Sequence, residues 1–187
     1  VRTVINGAGA AGTAITRLLT EYGFRDIVLC DRKGPLYPGR TDLNAVKAAV
    51  AAETNPRRLT GSLADVLSGA DVFIGVSGPG AVSADMVRSM NSSAIVLALA
   101  NPVPEIEPAV ALEAGAAIAS DGKIVNNALV FPGLMRGALD VRAAVITSLM
   151  KFKAAEVVAA ECAGDEIAPD FMDPDLHKKV ARAVAAA

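Results

Sequence analysis

The chain has 187 residues, of which 52% are hydrophobic and 4% aromatic, and its formal net charge at pH 7 is −2. This length predicts one domain, or one domain with a small extension, and allows a sizeable buried core. The lack of tryptophan and of any extended basic cluster argues against a nucleic-acid partner. No apolar run reaches the roughly 18 residues that span a bilayer, so we expect neither a membrane segment nor a signal peptide.

Two cysteines, Cys30 and Cys162, lie far apart in sequence and have no metal-ligand spacing. We interpret Cys30 as a buried free thiol in a strand, which is typical of a reducing, cytoplasmic setting. The chain opens on a predicted strand without a leading methionine. We therefore expect that an N-terminal part of the protein precedes this chain.

The first predicted unit is a strand, a glycine-rich turn and a helix, at Val1–Ile5, Gly7–Gly12 and Ala10 to about Tyr22. The turn has the G-x-G-x-x-G pattern that binds the pyrophosphate of a dinucleotide. Gly7 permits the tight turn, and Gly9 lets a phosphate approach the backbone. Gly12 allows the helix to pack closely on the sheet. The alternative interpretation is the same unit without a ligand.

The second predicted strand covers Asp26–Cys30, and Asp31 follows it. A carboxylate at this position can accept hydrogen bonds from an adenosine ribose and would repel a 2′-phosphate, which favours NAD. The next residues, Arg32 and Lys33, could instead hold that phosphate, or they could be solvated surface. NADP therefore stays open.

Further along the chain, predicted helices and strands alternate. After a polar loop at Asp31–Asp42 we expect a helix at Leu43–Glu53 and a second helix begun by a Ser62/Asp65 capping box. Three strands should follow, at Val72–Val76, Ala94–Ala100 and Ala116–Ser120, separated by helices from Ser83 to near Met90 and at Pro108–Ala114. The last predicted elements are a short extended segment at Val125–Val130, a long helix from Asp140 to about Ala163, and a final helix opened by Asp173-Pro174.

This alternation predicts an α/β fold, a Rossmann-like doubly wound, mainly parallel sheet with helices on both faces. We expect a dinucleotide-binding domain over residues 1–153. Residues 154–187 would form a C-terminal helical extension that packs on that domain or on a missing N-terminal domain. Ligands of such sheets bind beyond the carboxyl ends of the strands, where the predicted turns would converge. These turns are Gly7–Gly12, Ser77–Gly80, Asn101–Pro104 and Asn126-Asn127.

Two of these loops offer groups for the other end of a dinucleotide. The turn Ser77-Gly78-Pro79-Gly80 has little side-chain bulk, so a nicotinamide ribose can lie close to its backbone. The amides of Asn101, Asn126 and Asn127 supply donors and acceptors for a carboxylate, hydroxyl or carboxamide. The alternatives are a tight turn without a ligand and asparagines that cap turns.

A full catalytic set is missing from the sequence. The one histidine, His177, lies beside two lysines, and we expect it on a solvated helix face. Neither a nucleophile–base pair nor a cluster of carboxylates with metal-ligand spacing is evident at the predicted crevice. Another part of the protein must then supply the acid, the base and any metal.

Several motifs, in order along the chain, carry a resemblance to a known family. They are Val4–Gly12, Leu29–Gly34, Asp71–Ser77, Ala100–Pro102 with Pro104-Glu105, Val125–Asn127 leading to Phe131–Gly133, and Arg136–Arg142. Together they resemble the NAD-binding domain of the malic enzymes, especially the compact bacterial type. The resemblance covers essentially the whole chain and is weaker after about Lys153.

The resemblance implies oxidative decarboxylation of malate to pyruvate and CO2 by a homodimer, with NAD or NADP as hydride acceptor. It places the catalytic Tyr and Lys and the Mg²⁺ or Mn²⁺ ligands upstream, so this chain would carry no catalytic or metal-binding residue. Asn101 and Asn127 would contact the substrate. The cofactor-binding residues would be Gly7, Gly9, Ala10, Ala11, Gly12, Asp31, Arg32, Ser77, Gly78, Asn101 and Asn127.

In two places the chain departs from the bacterial pattern. Only Lys123, Ile124 and Val125 separate Gly122 from the asparagine pair, and the region around Asp173 is abbreviated. Two other functions stay open. One is a nucleotide-sensing module that does not catalyse, and the other is a related dehydrogenase with a different substrate.

Overall fold

The computed structural model describes all 187 residues, which form two compact units, Val1–Gly122 and Lys123–Ala187. The predicted domain boundary at residue 153 falls inside a helix of the second unit, Ser148–Ala160. The division between the two compact units, after Gly122, therefore comes before the predicted boundary. The functional limits of the dinucleotide-binding domain stay a prediction.

The first unit is built on one six-stranded sheet. Its strands are β1 (Arg2–Asn6), β2 (Asp26–Asp31), β3 (Gly34–Pro35), β4 (Val72–Gly75), β5 (Ile95–Ala98) and β6 (Ile118–Asp121), in the order β3-β2-β1-β4-β5-β6. All neighbours are parallel except β3, which pairs antiparallel with β2. The predicted fold class is confirmed. The short strand β3 lies in the segment that was predicted as a loop. It was missed because a strand of two residues has no periodicity that a sequence can show.

Five helices accompany the sheet: α1 (Ala10–Tyr22), α2 (Ala45–Glu53), α3 (Leu63–Leu67), α4 (Ala84–Arg88) and α5 (Pro108–Glu113). The predicted capping box is present at α3, where Ser62 accepts from the Asp65 amide and the Asp65 carboxylate accepts from the Ser62 amide. Ser83 caps α4 by accepting from the Met86 amide at 3.3 Å.

Both faces of the sheet are buried. Successive side chains of a strand point to opposite faces, and on β1 Val4 belongs to one apolar cluster whereas Ile5 belongs to another. Phe73 and Ile74 on β4 divide between the same two clusters. A sheet buried on both sides explains why these strands are continuously apolar rather than alternating.

The second unit is helical. A 3-10 helix at Asn127–Leu129 precedes α6 (Phe131–Asp140), α7 (Ser148–Ala160) and α8 (Pro174–Ala185). Two glycines of α6 allow close packing on α8. A Cβ added at Gly133 would lie 2.6 Å from the His177 carbonyl oxygen, and one at Gly137 would lie 2.4 Å from that of Ala181.

Two predictions for this unit are wrong. The segment Val125–Val130, expected to be extended, contains no strand and holds the 3-10 helix Asn127–Leu129, which Asn126 caps by accepting from the Ala128 amide. The helix expected from Asp140 to about Ala163 is shorter, because Asp140 is the last residue of α6 and Thr147 caps α7, which covers only Ser148–Ala160. Helix α6 itself was not predicted. The predicted opening of the last helix is confirmed, with Asp173 as its N-cap. None of the helices combines the length and the apolar character needed to cross a membrane.

Candidate functional site

A cavity of about 880 Å³ lies at the carboxyl ends of β1, β2 and β4. The strand order reverses at β1, which is where doubly wound sheets bind their ligands. The lining contains six residues predicted to bind a cofactor: Gly7, Gly9, Asp31, Arg32, Ser77 and Gly78. It also contains residues that the sequence did not single out as ligands, among them Asn6, Asp42, Lys47, Leu63 and Val76.

The chain's own packing requires two of the three turn glycines. Gly7 has a φ of +122°, and a Cβ there would lie 2.4 Å from the Val76 carbonyl oxygen. A Cβ at Gly12 would lie 2.0 Å from the carbonyl oxygen of Gly7. Both positions therefore need glycine whether or not a ligand binds.

Gly9 is different, because no atom lies within 4 Å of the Cβ that it lacks. Its φ of −91° and ψ of −162° are open to other residues. Gly9 is the N-cap of α1, and neither a side-chain cap nor an acidic residue in the first turn satisfies the N–H groups there. Those groups and the helix dipole favour an anion at this point. Ala10 and Ala11, the other predicted phosphate contacts, begin this helix.

Asp31, at the end of β2, is the centre of an ion-pair cluster. One of its oxygens accepts from Arg40 Nη2 at 2.8 Å and from the Lys33 amide at 3.0 Å, and the other accepts from Lys47 Nζ at 2.7 Å. Burial by itself would raise the pKa of Asp31, but the hydrogen bonds from Lys47, Arg40 and the Lys33 amide outweigh burial and lower this pKa. The carboxylate is therefore charged and fixed in orientation.

Arg40 is the buried cation of this cluster, with a side chain that is 8% exposed. Besides Asp31 it binds Asp42 at 2.7 Å and the carbonyl oxygens of Gly34 and Pro35. The hydrogen bond to Asp42 is the main cause of the raised pKa of Arg40. The sequence did not identify Arg40 or Lys47, because a cation in a polar loop or on a helix has no pattern that reveals its partner.

The cations predicted beside Asp31 have different surroundings. Lys33 binds Asp42 at 2.8 Å, whereas Arg32 is exposed and makes no ion pair. Arg32 is therefore the cation that a ligand can reach without breaking a contact within the protein.

At the other side of the cavity, Ser77 joins two strand ends. Asn6, the last residue of β1, donates to Ser77 Oγ at 2.8 Å. Ser77 in turn donates to the carboxylate of Glu105 from its hydroxyl, at 2.9 Å, and from its amide, at 2.7 Å. Glu105 is completely buried. From the sequence, Glu105 had no role beyond its place in the Pro104-Glu105 motif, so only the structure identifies it as buried beside Ser77.

Two of the predicted asparagines are exposed. Asn101 lies in the bend that follows β5, outside the lining of the cavity. Asn127 begins the 3-10 helix of the second unit. Asn126 caps a turn, which was one of its two interpretations, and donates to the Lys123 carbonyl oxygen at 3.0 Å. The roles of Asn101 and Asn127 toward a ligand stay predictions.

The lining of the cavity contains neither a histidine nor a cysteine. His177 lies on α8 in the second unit, half-buried rather than fully solvated, with Nε2 2.8 Å from the Phe171 carbonyl oxygen. No three side chains of the His, Cys, Asp or Glu type are grouped so that they could hold a metal ion.

The strand order, the glycine turn and the carboxylate at the end of β2 define a dinucleotide-binding domain of the Rossmann class. The chain is 51% identical to the bifunctional malic/malolactic enzyme of Bacillus subtilis, over all of this chain and 47% of that protein. It is 41% identical to the NAD-dependent malic enzyme of Geobacillus stearothermophilus, over 94% of this chain and 38% of that one.

Solved structures give the same result. The NAD-dependent malic enzyme of Thermotoga maritima superposes on 99% of this chain with a TM-score of 0.93 and 41% identity, using 51% of its own length. The malic enzyme of Pyrococcus horikoshii matches with a TM-score of 0.88 and 37% identity. No protein-family model matches the chain. Along its whole length the chain matches malic enzymes, and it corresponds to their NAD-binding domain. It spans about half the length of the relatives named here, or less.

Proposed function

We propose that this chain is the dinucleotide-binding part of an enzyme that converts malate to pyruvate and CO2 with hydride transfer to NAD(P). The observation that carries the proposal is Gly9, whose missing side chain faces open space at the N-terminus of α1. Neither backbone strain nor internal packing accounts for a glycine there. The close approach of a pyrophosphate to the backbone does.

The cavity accommodates a dinucleotide across the end of β1. In this arrangement the pyrophosphate contacts the backbone at Gly9 and the first N–H groups of α1. The adenosine ribose lies toward Asp31, and the nicotinamide half lies over the end of β4, against Ser77 and Gly78. The bound cofactor supplies the hydride acceptor, and the chain binds and orients it.

We propose NAD as the preferred cofactor. Asp31 is held as a carboxylate by Arg40 and Lys47, so a 2′-phosphate on the ribose would meet a fixed negative charge. The unpaired Arg32 is the feature that supports NADP instead. Relatives of both kinds are named, NAD-dependent in Geobacillus stearothermophilus and NADP-dependent in Rhizobium meliloti.

The rest of the reaction is assigned to groups outside this chain. In the proposed enzyme an additional domain holds the Mg²⁺ or Mn²⁺ ion and the general acid and base, a Tyr and a Lys. Asn101 and Asn127 would contact malate and the nicotinamide ribose, since neutral amides bind a carboxylate or hydroxyl without adding charge. We further propose a cytoplasmic homodimer. The two free thiols agree with a reducing compartment, and light scattering on the full-length enzyme tests the dimer.

A titration with NADH, followed by its own fluorescence, tests the proposal on the 187-residue chain. We expect saturable binding of NADH and no malate-dependent NADH formation by this chain alone. The full-length enzyme should form NADH or NADPH from malate. Replacing Asn101 or Asn127 with alanine there should abolish most turnover and weaken NADH binding much less, because the adenosine and pyrophosphate contacts remain. NADH binding without any malate turnover by the full-length enzyme would instead favour a nucleotide sensor or another substrate.

A further inference from the structure

Glu105 is a buried carboxylate without a cation partner. Its side chain is 0% exposed, and no ion pair includes it. Three donors satisfy it instead, the Ser77 amide at 2.7 Å, the Ser77 hydroxyl at 2.9 Å and the Ala100 amide at 3.1 Å. A charge buried in this way is costly unless hydrogen bonds compensate for it. The three donors therefore form stronger hydrogen bonds with the Glu105 carboxylate than they would form with a neutral acceptor.

These donors belong to the segments that follow two adjacent strands. Ser77 lies just beyond the end of β4, and Ala100 lies just beyond the end of β5. Two backbone hydrogen bonds join the same segments, from Gly80 to Pro104 at 3.3 Å and from Val82 to Glu105 at 3.2 Å. The hydrogen bonds of Glu105 therefore link the turn after β4 to the loop after β5.

The Glu105 carboxylate packs against Gly75 of β4, where a side chain would clash with it. A Cβ added at Gly75 would lie 2.3 Å from Glu105 Cδ, so any side chain there would displace the carboxylate. The φ of Gly75 is not in the left-handed region, and the close approach of Glu105 alone requires glycine.

Ser77 connects Glu105 to the cavity by hydrogen bonds. Because the Ser77 hydroxyl donates to Glu105, its oxygen is left to accept from Asn6, at 2.8 Å. Asn6 and Ser77 line the cavity, whereas Glu105 lies beneath it. We infer that Glu105 is a positioning residue for the nicotinamide half of the cofactor, which it orders through Ser77 and Asn6. This inference rests on the proposed function.

Glutamine at position 105 is the sharpest probe, because it keeps the shape and removes the charge. Its amide has one oxygen and one NH2 group in place of two acceptors. If the oxygen takes the position facing Ser77, the NH2 group faces the Ala100 amide, and two donors oppose each other. Glu107→Gln is the matched control, because Glu107 is exposed and its side chain makes no capping hydrogen bond.

The experiment compares two ligands by calorimetry on the 187-residue chain. NADH occupies the whole proposed site, and ADP occupies only the adenosine and pyrophosphate part. For Glu105→Gln we expect NADH to bind about tenfold more weakly, which corresponds to about one charge-assisted hydrogen bond. ADP should bind as it does to the wild type. Glu107→Gln should bind both ligands like the wild type.

Each outcome decides. Unchanged NADH affinity in Glu105→Gln, or an equal loss for NADH and ADP, overturns the inference, because the residue would then be unimportant or merely structural. A wild-type chain that binds neither ligand overturns the proposed function itself, and this inference with it. If Glu105→Gln does not fold, as judged by circular dichroism, Glu105→Asp takes its place. It keeps the charge but withdraws the carboxylate from Ser77 without changing a residue that lines the cavity, and it must show the same selective loss for NADH.

Discussion

The guanidinium of Arg40 lies 2.8 Å from the carboxylate of Asp31, and both side chains are largely removed from solvent, at 8% and 14% exposure. The pair joins the end of β2 to the loop that follows β3, and it fixes the carboxylate at the adenosine end of the cavity. The geometry of the proposed ribose site therefore depends on a residue that the sequence did not identify.

Replacing Arg40 with methionine should destabilise the chain by about 3 kcal/mol, because it leaves the buried charge of Asp31 short of a partner. Urea unfolding followed by circular dichroism measures this loss. The control is Arg25→Met, an exposed arginine of similar size, for which we expect a change below about 0.5 kcal/mol. Equal effects of the two variants would show that the Arg40 pair adds no stability.

The stability of the chain should fall in acid through Asp31. Hydrogen bonds hold the pKa of Asp31 in the folded chain below its ordinary value of 3.8, so the unfolded chain binds this proton more readily. The stabilisation is then present above pH 3.8 and is lost as the pH falls below it. Urea unfolding at pH 6 and pH 3 should show a smaller acid loss in Asp31→Asn than in the wild type. Parallel losses would contradict the prediction.

Two of the turn glycines, Gly9 and Gly12, should respond differently to alanine. Gly9→Ala should change the free energy of unfolding by less than about 1 kcal/mol, since its Cβ meets open space and only the N-cap preference is lost. The same change should weaken NADH binding at least about tenfold, because the methyl group occupies the approach of the pyrophosphate. Gly12→Ala should destabilise by about 3 kcal/mol through its contact with the Gly7 carbonyl oxygen. Normal NADH affinity in Gly9→Ala would contradict the proposed phosphate site.

Asp31 should also determine the choice of cofactor. In Asp31→Asn the fixed negative charge is gone, so the affinity for NADPH relative to NADH should rise about tenfold. Calorimetric titrations with both cofactors measure this ratio. Asp26→Asn is the matched control, because it removes a carboxylate at the opposite end of β2, where Asp26 pairs with Arg57 at 2.9 Å. An unchanged ratio of NADPH to NADH affinity in Asp31→Asn would show that Asp31 does not discriminate between the two cofactors.

The two thiols should differ in reactivity. Cys30 is buried in β2, and this burial, with a smaller contribution from Asp31, raises its pKa to about 12. Thiolates are the reactive form, so Cys30 should resist a disulfide reagent at pH 8 in the folded chain. Cys162 is partly exposed and should react. We expect one thiol to be titrated in native buffer and two in denaturant, and rapid labelling of Cys30 in the folded chain would contradict this.

Local signals were sufficient to predict the first βαβ unit from the sequence. The bounds of α1 were predicted because an apolar strand, a glycine turn and a tyrosine-glycine end are all features of neighbouring residues. The capping box at Ser62 and the cap at Asp173 were predicted for the same reason. Each of these depends on contacts within a few residues of the chain.

The second unit was harder to predict: α6 was missed, and α7 begins eight residues later than expected, at Ser148. The close approach of Gly133 and Gly137 to α8 involves residues more than 40 positions away in the sequence. Helix ends that depend on such packing are not visible in local periodicity.

The sequence by itself determined the fold class, the position of the phosphate turn and the carboxylate at the end of β2. These are encoded in short stretches whose backbone requirements only certain residues meet. Only the tertiary structure decided which glycine is free for a ligand, which cations hold Asp31, and that Glu105 is buried beneath Ser77. Those relationships join residues that are distant along the chain, and they exist only because parallel strands bring their carboxyl ends together at one edge of the sheet.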